Sequence, residues 1–324
     1  MISPLVTIGI PTRNRNAYLM RAVASVLKQS YQQIEVVVSD NASNDDTLKN
    51  IKKIDDSRLR IVEHNENIGM VSNFNETLQA ARGKYFIMLS DDDYLAPNAI
   101  EILINAFENK IENVDGNKVG VSWTPATIVD SNGSEKWVST EGPACESGFD
   151  FIVGSFQDGR GPRFCGVMVR TSDARTVGGY QEKHGPPCDV GNWSQIALRY
   201  PYVVCTQKSL AFYTIHPSSE TTATSSDTWK KSAESIIGDL LDYLNKNGRS
   251  AETIKMRLLG DNLIGDLLIA GFSQSAGQKG WTKKVIFEIF YFRKYLLTSH
   301  IAQRFLKNFW KLKSVIVDNF KNEK

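Results

Sequence analysis

The sequence predicts an α/β fold, in which a mostly parallel, Rossmann-like sheet is flanked by helices and followed by a helical C-terminal extension. Three observations support this prediction. Apolar runs alternate with amphipathic segments four times in the first 107 residues. The apolar runs are nearly continuous, which is typical of parallel strands buried on both faces. Hydrophobic residues make up 41% of the 324 residues, which is enough to fill a core.

The first hundred residues contain a strand and a helix in each repeat. The spacing predicts strands over 5–11, 34–40, 58–64 and 85–89, and helices over 17–30, 43–54, 70–81 and 97–107. Leu19 and Val23 lie on one face of the first helix. Ser43 and Asp46 resemble a capping box at the start of the second helix, and Pro97 suits the first turn of the fourth.

The remaining two thirds of the chain are less regular. We expect strands over 119–130, 135–140, 202–207 and 210–216, helices over 146–156 and 189–200, and then a Ser/Thr-rich mobile loop followed by helices. The predicted organisation has three parts. Residues 1–215 form the α/β domain, 216–280 a loop with a helical extension, and 281–324 a basic amphipathic helical tail.

Charge and cysteine content limit the functional classes. The net charge of +2 gives no indication of a nucleic-acid partner. Residues 281–324 contain ten Lys/Arg and three Asp/Glu, so the tail carries +7 and the remainder −5. No signal peptide or membrane-spanning helix is predicted. The four cysteines are widely spaced, which favours reduced thiols and a cytoplasmic location over zinc binding or disulfides.

Polar clusters follow three of the predicted strands. The clusters are Pro11-Thr12-Arg13-Asn14, Asp40-Asn41 and Ser90 to Asp93. Because ligands bind at the carboxyl ends of parallel strands, we expect these clusters to meet in one site.

Asp91, Asp92 and Asp93 form a triplet of adjacent carboxylates that repel one another. Such a triplet is either a solvated turn or a site for a divalent cation, and oxygen ligands at a strand end suit Mg²⁺ or Mn²⁺.

Asp40 and the helix start at Pro11-Thr12 also allow two interpretations each. Asp40 either accepts a hydrogen bond from a nucleotide base or caps the helix that follows it. The unpaired amides at the helix start bind either phosphate oxygens or water.

Five segments, in this order, resemble the family 2 glycosyltransferases, which have the GT-A fold. They are VTIGIPTRNR, VVVSDNASNDDT, NENIGMVSNFNETLQAARGKYFIMLSDDD, GGYQEKHGPPCD and LAFYTIHPSS, and the resemblance covers residues 3–220. It implies an enzyme that transfers a sugar from a nucleotide-sugar with inversion at the anomeric carbon.

The resemblance assigns roles to the clusters at the strand ends. Asp40 matches the family's base-recognising aspartate, and Ser90-Asp91-Asp92 matches its DxD motif with serine in place of the first acid. It implies that Asp92 is the principal ligand of Mn²⁺ or Mg²⁺, that Asp91 faces the ribose, and that Asp93 supports the turn or contributes to the metal site.

The resemblance also implies a catalytic base. Asp189 takes the place of the acid that deprotonates the acceptor, although Cys188 stands where the family has glutamate. His216 matches a histidine near the diphosphate and is a candidate metal ligand, or else a packing residue. Trp193 and Tyr180 either stack on an acceptor sugar or belong to the core, and we favour the core for Tyr180.

Together these features predict a metal-dependent enzyme that adds one sugar, from UDP-hexose or UDP-N-acetylhexosamine, to a lipid-linked saccharide in polysaccharide or O-antigen-type biosynthesis. The Q-x-x-R-W motif of processive members does not occur. The alternatives are a sugar-nucleotide nucleotidyltransferase, which would need a glycine-rich triphosphate loop, and a non-catalytic binding protein on the same fold.

The tail of residues 281–324 has aromatic and apolar residues on helical faces with Lys and Arg between them. This pattern favours peripheral association with an anionic membrane surface, here the inner face of the plasma membrane. Packing of the tail on the body of the protein, or a contact in a homodimer, would leave the same pattern.

Overall fold

The computed structural model of the protein describes residues 3–108, 111, 113–157, 160–216, 219 and 224–260. The chain divides into two compact units, residues 1–223 and 224–324. The predicted tail over 281–324 lies outside the described residues, as does the end of the helical segment expected before it. Of the helices that are described, none is long and apolar enough to cross a membrane.

The first unit contains the strands and most of the helices. The strands are β1 Val6–Thr12, β2 Ile34–Asp40, β3 Leu59–Glu63, β4 Tyr85–Met88, β5 Tyr94–Leu95, β6 Val119–Trp123, β7 Ala126–Asp130, β8 Glu135–Val138, β9 Cys145–Glu146, β10 Val167–Arg170, β11 Tyr202–Cys205 and β12 Ala211–Ile215. The helices are α1 Asn16–Leu27, α2 Thr47–Ile51, α3 Met70–Ala80, α4 Ala99–Asn105, α5 Gly148–Gln157, α6 Thr171–Thr176 and α7 Cys188–Ala197.

The main sheet has eight strands in the order β3-β2-β1-β4-β10-β6-β11-β9. The four strands predicted from the N-terminal repeats lie side by side and are all parallel. Ile8 and Val36 from the sheet and Leu19 from α1 belong to one fully buried cluster. The predicted α/β fold is therefore confirmed, and the parallel half of the sheet brings the ends of β1, β2 and β4 to one edge.

A second sheet, in the order β5-β12-β7-β8, was not predicted from the sequence. The apolar run over 119–130, expected as one strand, divides at Thr124 and Pro125 into β6 and β7, which belong to different sheets. The Thr124 hydroxyl donates to the carbonyl of Lys208 and accepts from the Leu210 amide, which fixes the chain where it passes from one sheet to the other.

Two further expectations are corrected, and one strand is present that was not expected. Helix α2 begins at Thr47 because the Ser43 hydroxyl, expected as its cap, accepts from the Asn14 amide instead. Helix α4 begins at Ala99, and Pro97 lies in the turn before it. Strand β10, which the sequence did not predict, is antiparallel to both β4 and β6 in the centre of the main sheet.

The described part of the second unit is helical. Helix α8 Ser226–Lys246 is capped by the Ser225 hydroxyl, which accepts from the Thr228 amide, and a further helix covers residues 250–260.

Candidate functional site

The three polar clusters meet at one edge of the main sheet, as the sequence predicts. Thr12 at the end of β1 pairs in register with Asp40 at the end of β2, and the Asn41 amide donates to the Thr12 carbonyl at 2.9 Å. The acidic turn, residues Ser90 to Asp93, follows β4. Strand β4 pairs with β1 on the side opposite β2. A ligand at this edge would therefore contact all three clusters.

Asp40 carries an unpartnered carboxylate oxygen. Its side chain is buried, with 1% exposure, and its Oδ2 accepts from the Ser43 amide at 3.0 Å. Its Oδ1 has no hydrogen-bond partner among the residues that the structure describes. Because buried polar atoms are nearly always satisfied, this oxygen is suited to accept a hydrogen bond from a ligand.

Asn41 uses its side chain within the protein. Its amide donates to Asn67 Oδ1 and to the Gly69 carbonyl, and its Oδ1 accepts from the Ile68 amide. The residue therefore holds the loop before α3 against the end of β2. Its predicted contact with the nucleotide stays a prediction.

The segment between β1 and α1 is fixed by its own hydrogen bonds. Pro11 lies within β1. Asn14 has a positive φ of 54°, and its Oδ1 accepts from the Asn44 amide while its own amide donates to Ser43. Thr12 donates its hydroxyl to Asp91 Oδ2 at 2.7 Å, and the Arg13 side chain is exposed. Of these four predicted binding residues, Arg13 and Asn14 are exposed.

Asp91 is buried beneath this segment. It accepts from the Thr12 hydroxyl and from the Arg13 amide, and burial together with the neighbouring Asp92 charge raises its pKa. The carboxylate thus ties the acidic turn to the end of β1, and a contact with ribose stays a prediction.

Asp92 is surrounded by polar groups. Its Oδ1 accepts from the Ser90 hydroxyl at 2.6 Å, and its Oδ2 lies 2.8 Å from His216 Nε2. Arg15 Nη1 lies 3.0 Å from that same His216 nitrogen and 3.6 Å from Asp92 Oδ2. The Tyr18 ring stacks on the His216 ring with centroids 5.1 Å apart.

Asp92 and His216 have a donor set that fits a divalent cation. The His216 Nε2 atom cannot accept from Arg15 and donate to Asp92 at the same time, so one of these contacts is replaceable. A carboxylate oxygen and an imidazole nitrogen lie 2.8 Å apart. In the part of the chain that the structure describes, His, Cys, Asp and Glu form no metal-holding group of three or more. Mg²⁺ commonly binds one or two protein carboxylates and completes its shell with substrate phosphates.

Asp93 lies away from this pair. It is fully buried, and its Oδ1 accepts from the Thr214 amide at 2.8 Å. Burial raises its pKa, and the Cys165 thiol is a neighbouring polar group. The Oδ1 contact ties the acidic turn to β12, and the predicted metal role of Asp93 stays a prediction beside that of Asp92 and His216.

Asp189 occupies a different environment at the start of α7. It lines a cavity with eight other residues: Phe86, Met88, Phe164, Val167, Val169, Tyr180, Asn192 and Trp193. Burial raises the pKa of Asp189 to about 7, although two backbone amides and the Arg163 charge act in the opposite direction. A carboxylate with this pKa can accept a proton near neutral pH.

The residues expected around Asp189 are mostly buried. Cys188 beside it is fully buried, and burial raises the pKa of its thiol, so a neutral group stands at this position. Tyr180 packs edge-on against Phe74 and lies near Phe164, which agrees with a core position. Trp193 is 6% exposed, so its predicted contact with an acceptor sugar would have to occur within the cavity.

Residues 7–156 match the sequence model of the family described as Glycosyl transferase family 2. The match covers just under half of the chain and supports a family 2 glycosyltransferase. The match agrees with the family predicted from the motifs and includes the three polar clusters at the strand ends.

Curated relatives of this glycosyltransferase share part of its length. Chondroitin synthase from Escherichia coli is 35% identical over 111 residues, which are 33% of this chain and 16% of that protein. The GalNAc(5)-diNAcBac-PP-undecaprenol beta-1,3-glucosyltransferase of Campylobacter jejuni is 32% identical over 117 residues, which are 35% and 38% of the two chains. The chain thus spans less than two fifths of either relative.

A crystal structure of S. aureus TarS 1-349 in complex with UDP-GlcNAc has a similar fold. The TM-score is 0.60 and the sequence identity 17%, over 91% of this chain and 79% of that one. At this identity the likeness supports the fold, which agrees with the predicted GT-A class.

The sequence did not reveal three residues of this glycosyltransferase site. Arg15, Tyr18 and Arg21 lie on or next to α1, and all three contact the acidic turn or His216. Their spacing of three residues places them on one helix face, and this spacing is the only feature of the sequence that links the three residues to one another. What that face contacts depends on β12, which comes nearly 200 residues later.

Proposed function

We propose that this chain is an inverting glycosyltransferase that transfers a single sugar from a UDP-sugar, a UDP-hexose or UDP-N-acetylhexosamine, to a saccharide acceptor. The observation that carries this proposal is the shared edge of the sheet, where the open Oδ1 of Asp40 and the Asp92–His216 pair both lie. Asp40 would recognise the base. The UDP-GlcNAc bound in the TarS structure supports a uridine nucleotide as the donor.

Asp92 and His216 would hold Mn²⁺ or Mg²⁺, which when bound supplies positive charge to the leaving diphosphate. Arg15, whose side chain is 26% exposed, stands beside this pair and would contact the same phosphates. The acidic turn and the β1–α1 segment are already connected by the Thr12–Asp91 hydrogen bond. The phosphate-binding side of the site is therefore held in place before the donor binds.

In the proposed reaction, Asp189 accepts the proton of an acceptor hydroxyl as the hydroxyl oxygen attacks the anomeric carbon. The new C–O bond forms while the bond between the anomeric carbon and the phosphate oxygen breaks. The nucleoside diphosphate leaves with that bonding pair. A single displacement of this kind inverts the configuration at the anomeric carbon. The raised pKa of Asp189 suits a general base at neutral pH.

We propose a lipid-linked saccharide as the acceptor. The name of the C. jejuni relative describes transfer to an undecaprenol-linked glycan. The basic, aromatic residues 281–324 would bring this chain to an anionic membrane surface. Deletion of residues 281–324 should release the protein from vesicles that contain anionic lipid. Unchanged binding of the shortened chain would contradict the role of the tail.

The proposed function is tested with a panel of nucleotide-sugars. UDP-glucose, UDP-galactose, UDP-GlcNAc, UDP-GalNAc and GDP-mannose are each incubated with the protein and Mn²⁺, and the released nucleoside diphosphate is measured. We expect release from at least one UDP-sugar and loss of release on addition of EDTA. Binding of UDP without release from any donor would indicate a non-catalytic binding protein. Turnover that requires a nucleoside triphosphate would indicate a nucleotidyltransferase.

A further inference from the structure

Arg21 on α1 joins two distant parts of the chain through one nitrogen atom. Its Nη2 donates to the Asp92 carbonyl at 2.6 Å and to the Thr214 hydroxyl at 2.8 Å. Asp92 follows β4, whereas Thr214 lies on β12, two residues before His216. The two segments that supply the candidate metal ligands are therefore held by the same guanidinium.

The plane of this guanidinium is fixed by aromatic rings. It lies 4.6 Å from the centroid of the Tyr94 ring and 5.5 Å from that of Tyr18. Tyr94 in turn stacks on Phe212 of β12 with centroids 4.5 Å apart, and Tyr18 stacks on His216. A planar cation between two rings loses little further freedom when it forms its hydrogen bonds.

From these contacts we infer that Arg21 is a positioning residue, which sets the separation of Asp92 and His216 while touching neither the donor nor the metal. The effect of Arg21 on catalysis rests on the proposed function. Without the guanidinium, the Asp93–Thr214 hydrogen bond still links the acidic turn to β12, but it does not fix the Asp92 backbone. A displacement of the metal ligands by 1 Å lowers the rate of the reaction about 100-fold.

Arg175 provides a matched control. Its Nη2 also donates to backbone carbonyls, those of Leu78, Gln79 and Ala81, at the end of α3. Arg21→Gln and Arg175→Gln both remove an arginine that holds backbone carbonyls. Only the first removes contacts to the candidate site. A general loss of stability would affect the two variants alike.

The first experiment measures the surroundings of His216 in the absence of any ligand. The chain has four histidines, so the His216 signal in a ¹³C-histidine NMR spectrum can be assigned with His216→Gln. Arg21→Gln should shift the His216 resonance, whereas Arg175→Gln should leave it in place. An unshifted His216 resonance in Arg21→Gln would overturn the inference. If Arg21→Gln does not fold, Thr214→Val removes one of the two acceptors and carries the same test.

The second experiment measures function. Arg21→Gln should weaken Mn²⁺-dependent UDP binding about tenfold and lower kcat about 100-fold. Arg21→Lys, which keeps a charged donor, should recover part of both losses. Equal losses in Arg21→Gln and Arg175→Gln would reduce Arg21 to a structural role. If the wild-type protein binds no UDP, the proposed function fails, while the NMR result still decides whether Arg21 positions His216.

Discussion

Asp92, after β4, and Asp189, in the first turn of α7, are both acidic side chains of the candidate site, yet their surroundings differ. Asp92 lies among the Ser90 hydroxyl, the His216 ring and the Arg15 guanidinium. Asp189 lines a cavity whose other walls are mostly aromatic and aliphatic side chains. The first environment surrounds the carboxylate with polar and basic side chains, and the second raises the pKa of Asp189 to about 7.

This difference separates two chemical tasks. A carboxylate beside basic and polar side chains, as Asp92 is, is suited to hold a metal ion and a diphosphate throughout the reaction. A carboxylate in an apolar cavity gains and loses a proton near neutral pH, as a general base must. If the two environments define the two roles, changes at each aspartate should have separable consequences.

Asp189→Asn should have the largest effect. The amide cannot accept the proton of the acceptor, so kcat should fall by at least ~100-fold, the usual scale for a general base. UDP affinity, measured by isothermal titration calorimetry, should stay within about twofold because the change lies outside the phosphate-binding contacts. Near-normal turnover in Asp189→Asn would reject the assignment, whereas Asp189→Glu, the control, should retain part of the activity.

The pH dependence of kcat/KM should report the Asp189 environment. Below pH 7 Asp189 becomes protonated and can no longer accept a proton, so the rate should fall about tenfold for each further unit of acidity. The profile should flatten above pH 7. A rate that is constant down to pH 5 would show that the carboxylate in the apolar cavity is not the base.

Asp92 and Asp93 can be compared directly, because they are neighbours with different contacts. Asp92→Ala should abolish the Mn²⁺ dependence of UDP binding and weaken that binding about tenfold. Asp93→Asn keeps an acceptor for the Thr214 amide and should leave the Mn²⁺ dependence unchanged. Titration of both variants with UDP, with and without Mn²⁺, checks the pair. Loss of Mn²⁺ dependence in Asp93→Asn would restore Asp93 to the ligand set.

The smallest expected effect is on stability. The pKa of Asp189 is raised in the folded protein, so the stability that its neutral form contributes is present below pH 4 and is lost as the pH rises through about 7. Asp189→Asn stays neutral at every pH. Its Tm should match that of the wild type at pH 4 and exceed it at pH 8 by on the order of 10 °C. An equal Tm at pH 8 would mean that Asp189 is well hydrated when ionised.

The N-terminal repeats could be predicted because their signals are local. The runs at β1, β2 and β4 are continuous and buried, and each is followed by a helix with one apolar face. Parallel strands joined by helices have one preferred arrangement, so the polar clusters had to meet at one edge. The acidic triplet could therefore be placed in a site from the sequence alone.

The contacts within that site could not be predicted in the same way. Asp91 and Asp93 are as acidic as Asp92, and only the fold shows that one is tied to Thr12 and the other to Thr214. The second sheet was missed because a single apolar run, 119–130, supplies strands to both sheets. Its partner β12 lies about 80 residues further along the chain, beyond the reach of any local pattern.

Periodicity and motif order are properties of neighbouring residues, so they were enough to predict the α/β class, the strand ends as the ligand site and the family that the chain resembles. Tertiary structure decided which carboxylate faces His216, which lies in an apolar cavity, and which arginine holds the acidic turn against β12. These properties depend on burial and on hydrogen bonds between residues up to 201 positions apart. Both appear only when the chain has folded.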